Sequence, residues 1–159
     1  MDVIILQITD MKGNCTIEGH ADQIILLSYS HSLSIPLSND PANTERTAGR
    51  PNFSDMTFSK MTDQSTPALY AACAQGKKLG DAIVHIGRNE AGAFMSLMKY
   101  TLTNAMVADV STSGGGSMPV DSFTLNFTKI ASEFTQQNAD STKKGTASFG
   151  WDLMTNKAA

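Results

Sequence analysis

The chain has 159 residues, which is enough for one domain with a proper hydrophobic core and too few for a typical two-domain enzyme. Hydrophobic residues make up 41% of the sequence and charged residues only 17%, so much of the surface must be polar but uncharged. The formal net charge is −3 and no long basic run occurs, which argues against nucleic acid as a partner.

The chain opens on a short apolar stretch at residues 3–6, which we predict to be the first strand. This stretch is far shorter than the ~20 residues that a membrane-spanning helix needs, and it follows Asp2 instead of a basic segment. We therefore expect no membrane insertion and no cleaved signal peptide. The two cysteines are too few for a multi-bridge disulfide framework, which favours folding in the cytoplasm.

Residues 24–35 predict one long strand with two different faces. The side chains alternate there with a period of two, so that apolar and hydroxyl-bearing residues lie on opposite sides. The apolar set includes Ile25, Leu27 and Leu33, and the polar set includes Ser28, Ser30 and Ser32. We expect the apolar set to fill a core and the serines to face away from it.

Residues 36–52 carry Pro36, Pro41 and Pro51 among polar side chains and predict a loop. A loop of this length is uncommon in a compact domain, and an ordered one usually serves a function such as contact with a partner. A second loop is predicted at residues 111–119, where three consecutive glycines suit a flexible hairpin tip better than a phosphate site.

One helix is predicted between Thr66 and Gly76, after the strand indicated by Met56 and Phe58. Thr66 can cap it, Pro67 fits its first turn and Gly76 can end it, while Leu69 and Cys73 lie on a face that packs on a sheet. The further strands are indicated by alternation at Met56 and Phe58, at Ala82, Val84 and Ile86, at Met98, Tyr100 and Leu102, at Phe123, Leu125 and Phe127, and at Ala147, Phe149, Trp151 and Leu153.

The sequence contains no catalytic or metal-binding motif of known spacing. The one group that suggests metal ligands is Cys15 with His20 and the distant His31 and His85, and both distant histidines lie within strand patterns. We expect Cys15 and Cys73 to be small buried thiols. A binding or assembly protein is therefore favoured over an enzyme.

Several short motifs, taken together in their order along the chain, resemble the haemolysin-coregulated protein (Hcp) family of the bacterial type VI secretion system. They cover nearly the whole sequence: Gly13 with His20, the strand at residues 24–34, Phe58-Ser59-Lys60, Asp63, Ser65, Pro67 and Leu69 with Gly76, Leu125-Asn126-Phe127, Lys129-Ile130, and Gly150-Trp151-Asp152.

The resemblance implies a mainly β fold, a small β-barrel of two antiparallel sheets with one flanking α-helix, similar to phage tail-tube proteins. It implies a single domain over residues 1–159, a homo-hexameric ring and stacked rings, without enzymatic activity or a cofactor. The implied partners are sheath subunits, a spike protein and small effector proteins. The implied route is assembly in the cytoplasm followed by secretion.

Two sets of site residues follow from the resemblance. Ser28, Ser30 and Ser32 are expected to line the channel of the ring, the alternative being plain exposure on the outer surface. The loop at residues 36–52 is expected to contact a neighbouring subunit, with Pro36, Asn39, Asp40, Arg46 and Arg50 as the contact residues.

Two other functions stay open. A phage-like tail-tube protein would also form stacked rings, and its neighbouring genes would distinguish it from a secretion-system protein. A monomeric, strand-rich ligand-binding module would need an aromatic-lined pocket, and the 7% of aromatic residues are spread through the predicted strands.

Overall fold

The computed structural model describes residues 2–39, 46–90, 93–137 and 143–159. Within these residues the regular structure consists of fifteen strands and one helix. The strands before the helix are β1 (Asp2–Ile8), β2 (Ile24–Leu26), β3 (Ser28–Ser30), β4 (Leu33–Ser34), β5 (Leu37–Asn39), β6 (Arg46–Ala48), β7 (Asn52–Phe53) and β8 (Met56–Met61). After helix α1 (Thr66–Gln75) come β9 (Ala82–Glu90), β10 (Ala93–Thr103), β11 (Met106–Ser113), β12 (Val120–Asn126), β13 (Lys129–Gln137), β14 (Lys143–Asp152) and β15 (Lys157–Ala158).

Two antiparallel sheets contain most of these strands. A seven-stranded sheet has the order β15-β14-β13-β10-β9-β1-β2, and a four-stranded sheet has the order β11-β12-β8-β3. Two small antiparallel pairs, β4 with β7 and β5 with β6, stand apart from them. The mainly β, barrel-like fold of antiparallel sheets with one flanking helix is confirmed.

One hydrophobic core joins the two sheets and the helix. Its buried side chains come from alternate positions of the strands, as the alternation of a pleated strand requires. From the seven-stranded sheet they include Leu6, Ile24, Val84, Leu102 and Ile130, from the four-stranded sheet Met56, Phe58, Phe123 and Leu125, and from α1 Leu69 and Ala72. The helix therefore packs against the sheets through the face that the sequence predicts.

The prediction of one long strand at residues 24–35 is wrong, because the chain changes sheets at Leu27. β2 pairs with β1 in the seven-stranded sheet, whereas β3 pairs with β8 in the four-stranded sheet. Between them the Leu27 N–H donates to the Ser59 carbonyl oxygen at 2.7 Å. The change shifts which alternate residues face inwards: Leu26 is buried before it, and Tyr29 packs against the core after it.

The predicted core face of that strand is wrong for the same reason. Ile25, Leu27 and Leu33 are 40%, 54% and 51% exposed, and the burial falls on Ile24 and Leu26 instead. Within β2 the alternation points Ile25 away from its two buried neighbours, and from Leu27 onwards the chain no longer belongs to that sheet. Apolar side chains are thus left on the surface at this junction.

Helix α1 begins one residue earlier than its predicted cap implies. Ser65, not Thr66, stands at the N-cap position, and its hydroxyl donates to an oxygen of Asp63. Thr66 is the first helical residue, and its hydroxyl donates to Asp121. Gly76 ends the helix with a left-handed φ of 63°, a conformation that glycine adopts without steric cost.

The two predicted loops contain more strand than expected. Residues 36–52 hold β5 and β6, which pair with the register Leu37 to Ala48 and Asn39 to Arg46, and then the start of β7. At residues 111–119 the first three residues complete β11, and the connection to β12 is correspondingly shorter. The strands at both places were not predicted from the sequence, because residues with hydroxyl side chains are equally compatible with turns.

Candidate functional site

Two neighbouring cross-strand rows on the solvent-facing side of the four-stranded sheet consist of hydroxyl side chains and one aspartate. Direct cross-strand partners share a face, so the strand register defines the rows of this surface. One row is Ser28, Ser59, Ser122 and Ser111, and the next is Ser30, Thr57, Thr124 and Asp109. We call the seven serine and threonine residues of these rows the hydroxyl face; each of them is exposed or half-buried.

The opposite side of the same sheet holds the hydroxyl face rigid. Tyr29, Phe58, Phe123 and Val110 form the corresponding cross-strand row there. Phe58 and Phe123 are buried with ring centroids 5.2 Å apart, and the other two pack against the core. The polar surface is therefore backed by a close-packed interior, which limits its movement.

The three predicted channel serines do not stay together. Ser28 and Ser30 lie on the hydroxyl face, next to Ser59 and Thr57, whereas Ser32 lies beyond the end of β3. The Ser32 hydroxyl donates to Ser54 Oγ at 3.0 Å, and the Ser54 N–H donates to the Ser32 carbonyl at 3.0 Å. Ser32 thus joins two chain segments where the arm described below begins.

An arm consisting of β5 and β6 occupies most of the predicted contact loop. Its base is closed because the Gly49 N–H donates to the Pro36 carbonyl at 2.8 Å. A Cβ atom at Gly49 would lie 2.6 Å from Pro36 Cγ, so glycine is required for this close approach. Arg50, exposed beside the base, donates to the Leu153 carbonyl near the end of the chain.

The remaining predicted contact residues belong to the arm itself. Asn39 and Arg46 are register partners in the β5–β6 pair. Asp40 lies outside the described residues. The side chain of Leu37, at the start of the arm, is 53% exposed.

An apolar groove of about 430 Å³ lies where the arm joins the sheets. It is lined by Leu33, Ser34, Ile35, Pro51, Phe53, Phe149 and Trp151. The Phe53 and Trp151 rings are stacked with their centroids 6.4 Å apart, and Phe149 is 46% exposed. The expectation that the aromatic residues are spread out is therefore wrong at this place, because β7 and β14 bring three of them together.

The histidines take part in ring packing. His20 contacts both His85 and Phe94 with ring centroids 4.8 Å apart, and His31 contacts Phe53 and Phe127. Burial, followed by the charges of His20 and Lys99, lowers the pKa of His85 to about 4. Across residues 2–39, 46–90, 93–137 and 143–159, no group of three or more histidine, cysteine or acidic side chains could hold a metal ion.

Cys15 is buried and Cys73 is partly buried, both as free thiols, which agrees with the predicted packing role. The described part of the chain contains no helix that is long and apolar enough to cross a membrane.

Known proteins resemble this chain over most of its length. A profile of the family described as "Type VI secretion system effector, Hcp" matches residues 5–134. "Protein hcp1" of Pseudomonas aeruginosa is 31% identical over 157 residues, which is 97% of this chain and 96% of that protein. The "Major exported protein" of the same organism is 28% identical over 102 residues, covering 64% of this chain and 58% of that protein.

The solved structures agree with the sequence relatives. One described as the structure of a type six secretion system protein superimposes on this chain with a TM-score of 0.91. It covers 100% of both chains at 19% sequence identity. That similarity concerns the fold, whereas the family profile and the 31% identical relative concern the family.

Proposed function

This chain belongs to the Hcp family of the type VI secretion system, and we propose that it is a structural subunit of the secretion tube. In this proposal six copies close into a ring, the rings stack into a tube, and a contracting sheath expels the tube. The observation that supports it best is the hydroxyl face on a sheet with two open edges.

The four-stranded sheet is suited to ring closure. Among the described residues of one chain, β3 and β11 are its outer strands, and each has a single strand neighbour in that sheet. Unpaired strand edges promote association with another chain. Repeated contact between two different edges generates a ring when the rotation closes. If the ring closes through contacts between β3 of one copy and β11 of the next, the hydroxyl faces of all copies point towards the same side of the ring wall.

We assign that side to the channel. A channel that passes protein cargo must hydrate it and form hydrogen bonds with it without a large apolar contact that would retain it. Ser28 and Ser30 are proposed to line the channel, together with the partners that the register places beside them, Thr57 and Ser59. Ser32 is proposed to support the arm, because its hydroxyl is bonded to Ser54.

The arm is proposed to reach a neighbouring subunit. Its exposed Leu37 and the apolar groove at its base are surfaces that association would remove from water, at roughly 25 cal/mol per Å² of apolar area. Pro36, Asn39, Asp40, Arg46 and Arg50 remain the proposed contact residues, and the bond from Arg50 to Leu153 holds the base in place.

The other partners follow from the family. We propose that sheath subunits surround the tube, that a spike protein covers its tip, and that effector proteins travel inside it. The proposed route is assembly in the cytoplasm and secretion without a cleaved signal peptide. The name of the exported relative supports the secretion step.

Electron microscopy of the purified full-length chain tests the channel assignment directly. We expect six-membered rings, and a Ser30→Trp substitution should add density to the wall of the central opening. The matched control is Ser148→Trp on β14, an exposed serine that faces away from the core of the seven-stranded sheet. It should add density to the outside of the ring. Added density outside the ring for Ser30→Trp would contradict the assignment.

A monomeric ligand-binding module is the second candidate, and the aromatic groove is the observation that favours it. Light scattering after size-exclusion chromatography separates the two functions. A strict monomer at all concentrations would favour the ligand-binding module, and a hexamer favours the tube.

A further inference from the structure

The hydroxyl face carries negative charge at its margin and no positive charge in the part of the chain that the structure describes. Asp109 on β11 completes the row of Ser30, Thr57 and Thr124, and it is exposed. No lysine, arginine or histidine side chain belongs to either row of this face in the described ranges.

A second carboxylate lies at the end of the same surface. Asn126 follows Thr124 on the same side of β12, and its Nδ2 donates to Asp55 Oδ1 at 2.8 Å. A neutral amide fixes the position of Asp55 without cancelling its charge. Asp55, which directly precedes β8, and Asp109 of β11 thus approach the hydroxyl face from two different places in the sheet.

The lysine of the central strand β8 does not compensate for these charges. Lys60 of β8 points to the core side of the four-stranded sheet, where Asp121 and Asp63 accept from its ammonium at 2.6 and 3.0 Å. Two carboxylates therefore share one buried ammonium. Behind the sheet as well as on it, the local charge is negative.

We propose that the hydroxyl face selects cargo with a cationic surface. The inference rests on the proposed function, in which this face lines the channel and each copy contributes its own Asp55 and Asp109. Hydroxyl groups both donate and accept hydrogen bonds, so they bind polar surfaces of either charge. Selection between cargo proteins therefore comes from the carboxylates, whose field is focused by the low-dielectric core behind the wall.

Two probe proteins of similar fold and size but opposite charge test this inference. Lysozyme of the c-type is cationic and α-lactalbumin is anionic. Each is labelled with a fluorophore, and its binding to rings of the full-length chain is followed by fluorescence anisotropy at low and high salt. We expect lysozyme to bind more tightly than α-lactalbumin, with a preference that weakens as salt screens the charges.

Charge-removing variants locate the source of the preference. Asp109→Asn and Asp55→Asn should each weaken lysozyme binding about fivefold at low salt, because every copy in the ring loses a charge. The matched control is Glu133→Gln on β13, an exposed acid of the seven-stranded sheet that changes the net charge by the same amount. It should change binding by less than about twofold. Sedimentation confirms that each variant still forms rings.

The outcomes separate this inference from the proposed function. Equal binding of both probes, binding of neither, or an equal loss with Glu133→Gln would overturn the selection of cationic cargo. The Ser30→Trp variant tests the location: lysozyme binding that persists unchanged in Ser30→Trp rings would contradict the proposed function itself. If Ser30→Trp rings lose binding and the unchanged rings bind both probes equally, the channel assignment is supported and only the proposed preference for cationic cargo is contradicted.

Discussion

Lys60 Nζ lies 2.6 Å from Asp121 Oδ2, and neither side chain is exposed to solvent. The two residues are direct cross-strand partners on β8 and β12. The hydroxyls of Thr62, Thr66 and Thr112 also donate to Asp121, so its carboxylate is fully hydrogen-bonded. This network fastens the start of helix α1 to the core side of the four-stranded sheet.

Lys60→Met should destabilise the chain strongly. The substitution keeps most of the side-chain volume but leaves the carboxylates of Asp121 and Asp63 without their buried cation, which costs about 3–5 kcal/mol of unfolding free energy. Denaturant unfolding followed by circular dichroism measures the loss. Lys78→Met, at an exposed position after α1, is the control and should stay within about 0.5 kcal/mol of the unchanged chain. A similar small effect for both variants would refute the role of the network.

Acid should lower the stability first through His85. Burial, then the charges of His20 and Lys99, lower its pKa from 6.5 to about 4 in the folded chain. Between these two pH values the unfolded state binds more protons, so the free energy of unfolding falls as the pH falls from 6.5 to 4. Denaturant titrations at several pH values should show this slope. His85→Gln should reduce it, and an unchanged slope would contradict the assignment.

A second acid-sensitive step should come from Asp121 at lower pH. Burial alone would raise the pKa of Asp121, but the hydrogen bonds from Lys60, Thr66, Thr112 and Thr62 outweigh it and lower the pKa from 3.8 to about 2. The unfolded state therefore takes up the proton first, and stability is lost as the pH falls from 3.8 to 2. Asp121→Asn should remove this step while lowering the stability at neutral pH. Persistence of the step would exclude Asp121 as its source.

Removal of the arm should prevent assembly without unfolding the chain. Pro36 and Gly49 are already in contact, so a short glycine-serine linker can replace residues 37–48 without moving either sheet. The shortened chain should melt close to the temperature of the full-length chain and sediment as a monomer. A folded chain that still forms rings would show that the arm is dispensable.

Trp151, the single tryptophan, should report on assembly by its fluorescence. It is stacked on Phe53 in the apolar groove, so coverage of the groove by another copy should shift its emission to the blue as the concentration rises. Phe149→Ser should weaken assembly and reduce the shift. Phe134→Ser removes a phenylalanine of nearly the same exposure, 47% against 46%, from outside the groove and should have little effect. Emission that is independent of concentration would argue against burial of the groove.

The alternation of side chains predicted the strands that lie wholly within one sheet. Phe58, Val84, Leu102 and Phe123 are buried as their spacing indicates, because each of their strands stays within one sheet over its whole length. β11 and β13 were not predicted. Their exposed and half-buried positions are rich in hydroxyl and charged residues, which gives little contrast between the two faces.

The candidate site was predictable only in part. Ser28 and Ser30 belong to a regular alternation that the sequence displays, and the structure places both on one face. The partners that make this face continuous, such as Ser59 and Ser122, come from strands far apart in sequence. Their proximity depends on the strand register, which local patterns do not contain. The burial of Leu26 and exposure of Leu27 likewise depend on the change of sheet.

The crossing of the chain between the sheets at Leu27 also has a mechanical consequence. β2 and β3 are joined there by a single residue, so a covalent tether without slack connects the two sheets. A force applied to the seven-stranded sheet is transmitted to the four-stranded sheet through peptide bonds as well as through packed side chains. Shear between the two sheets at this point would therefore require distortion of the backbone or loss of the strand pairing of β2 or β3.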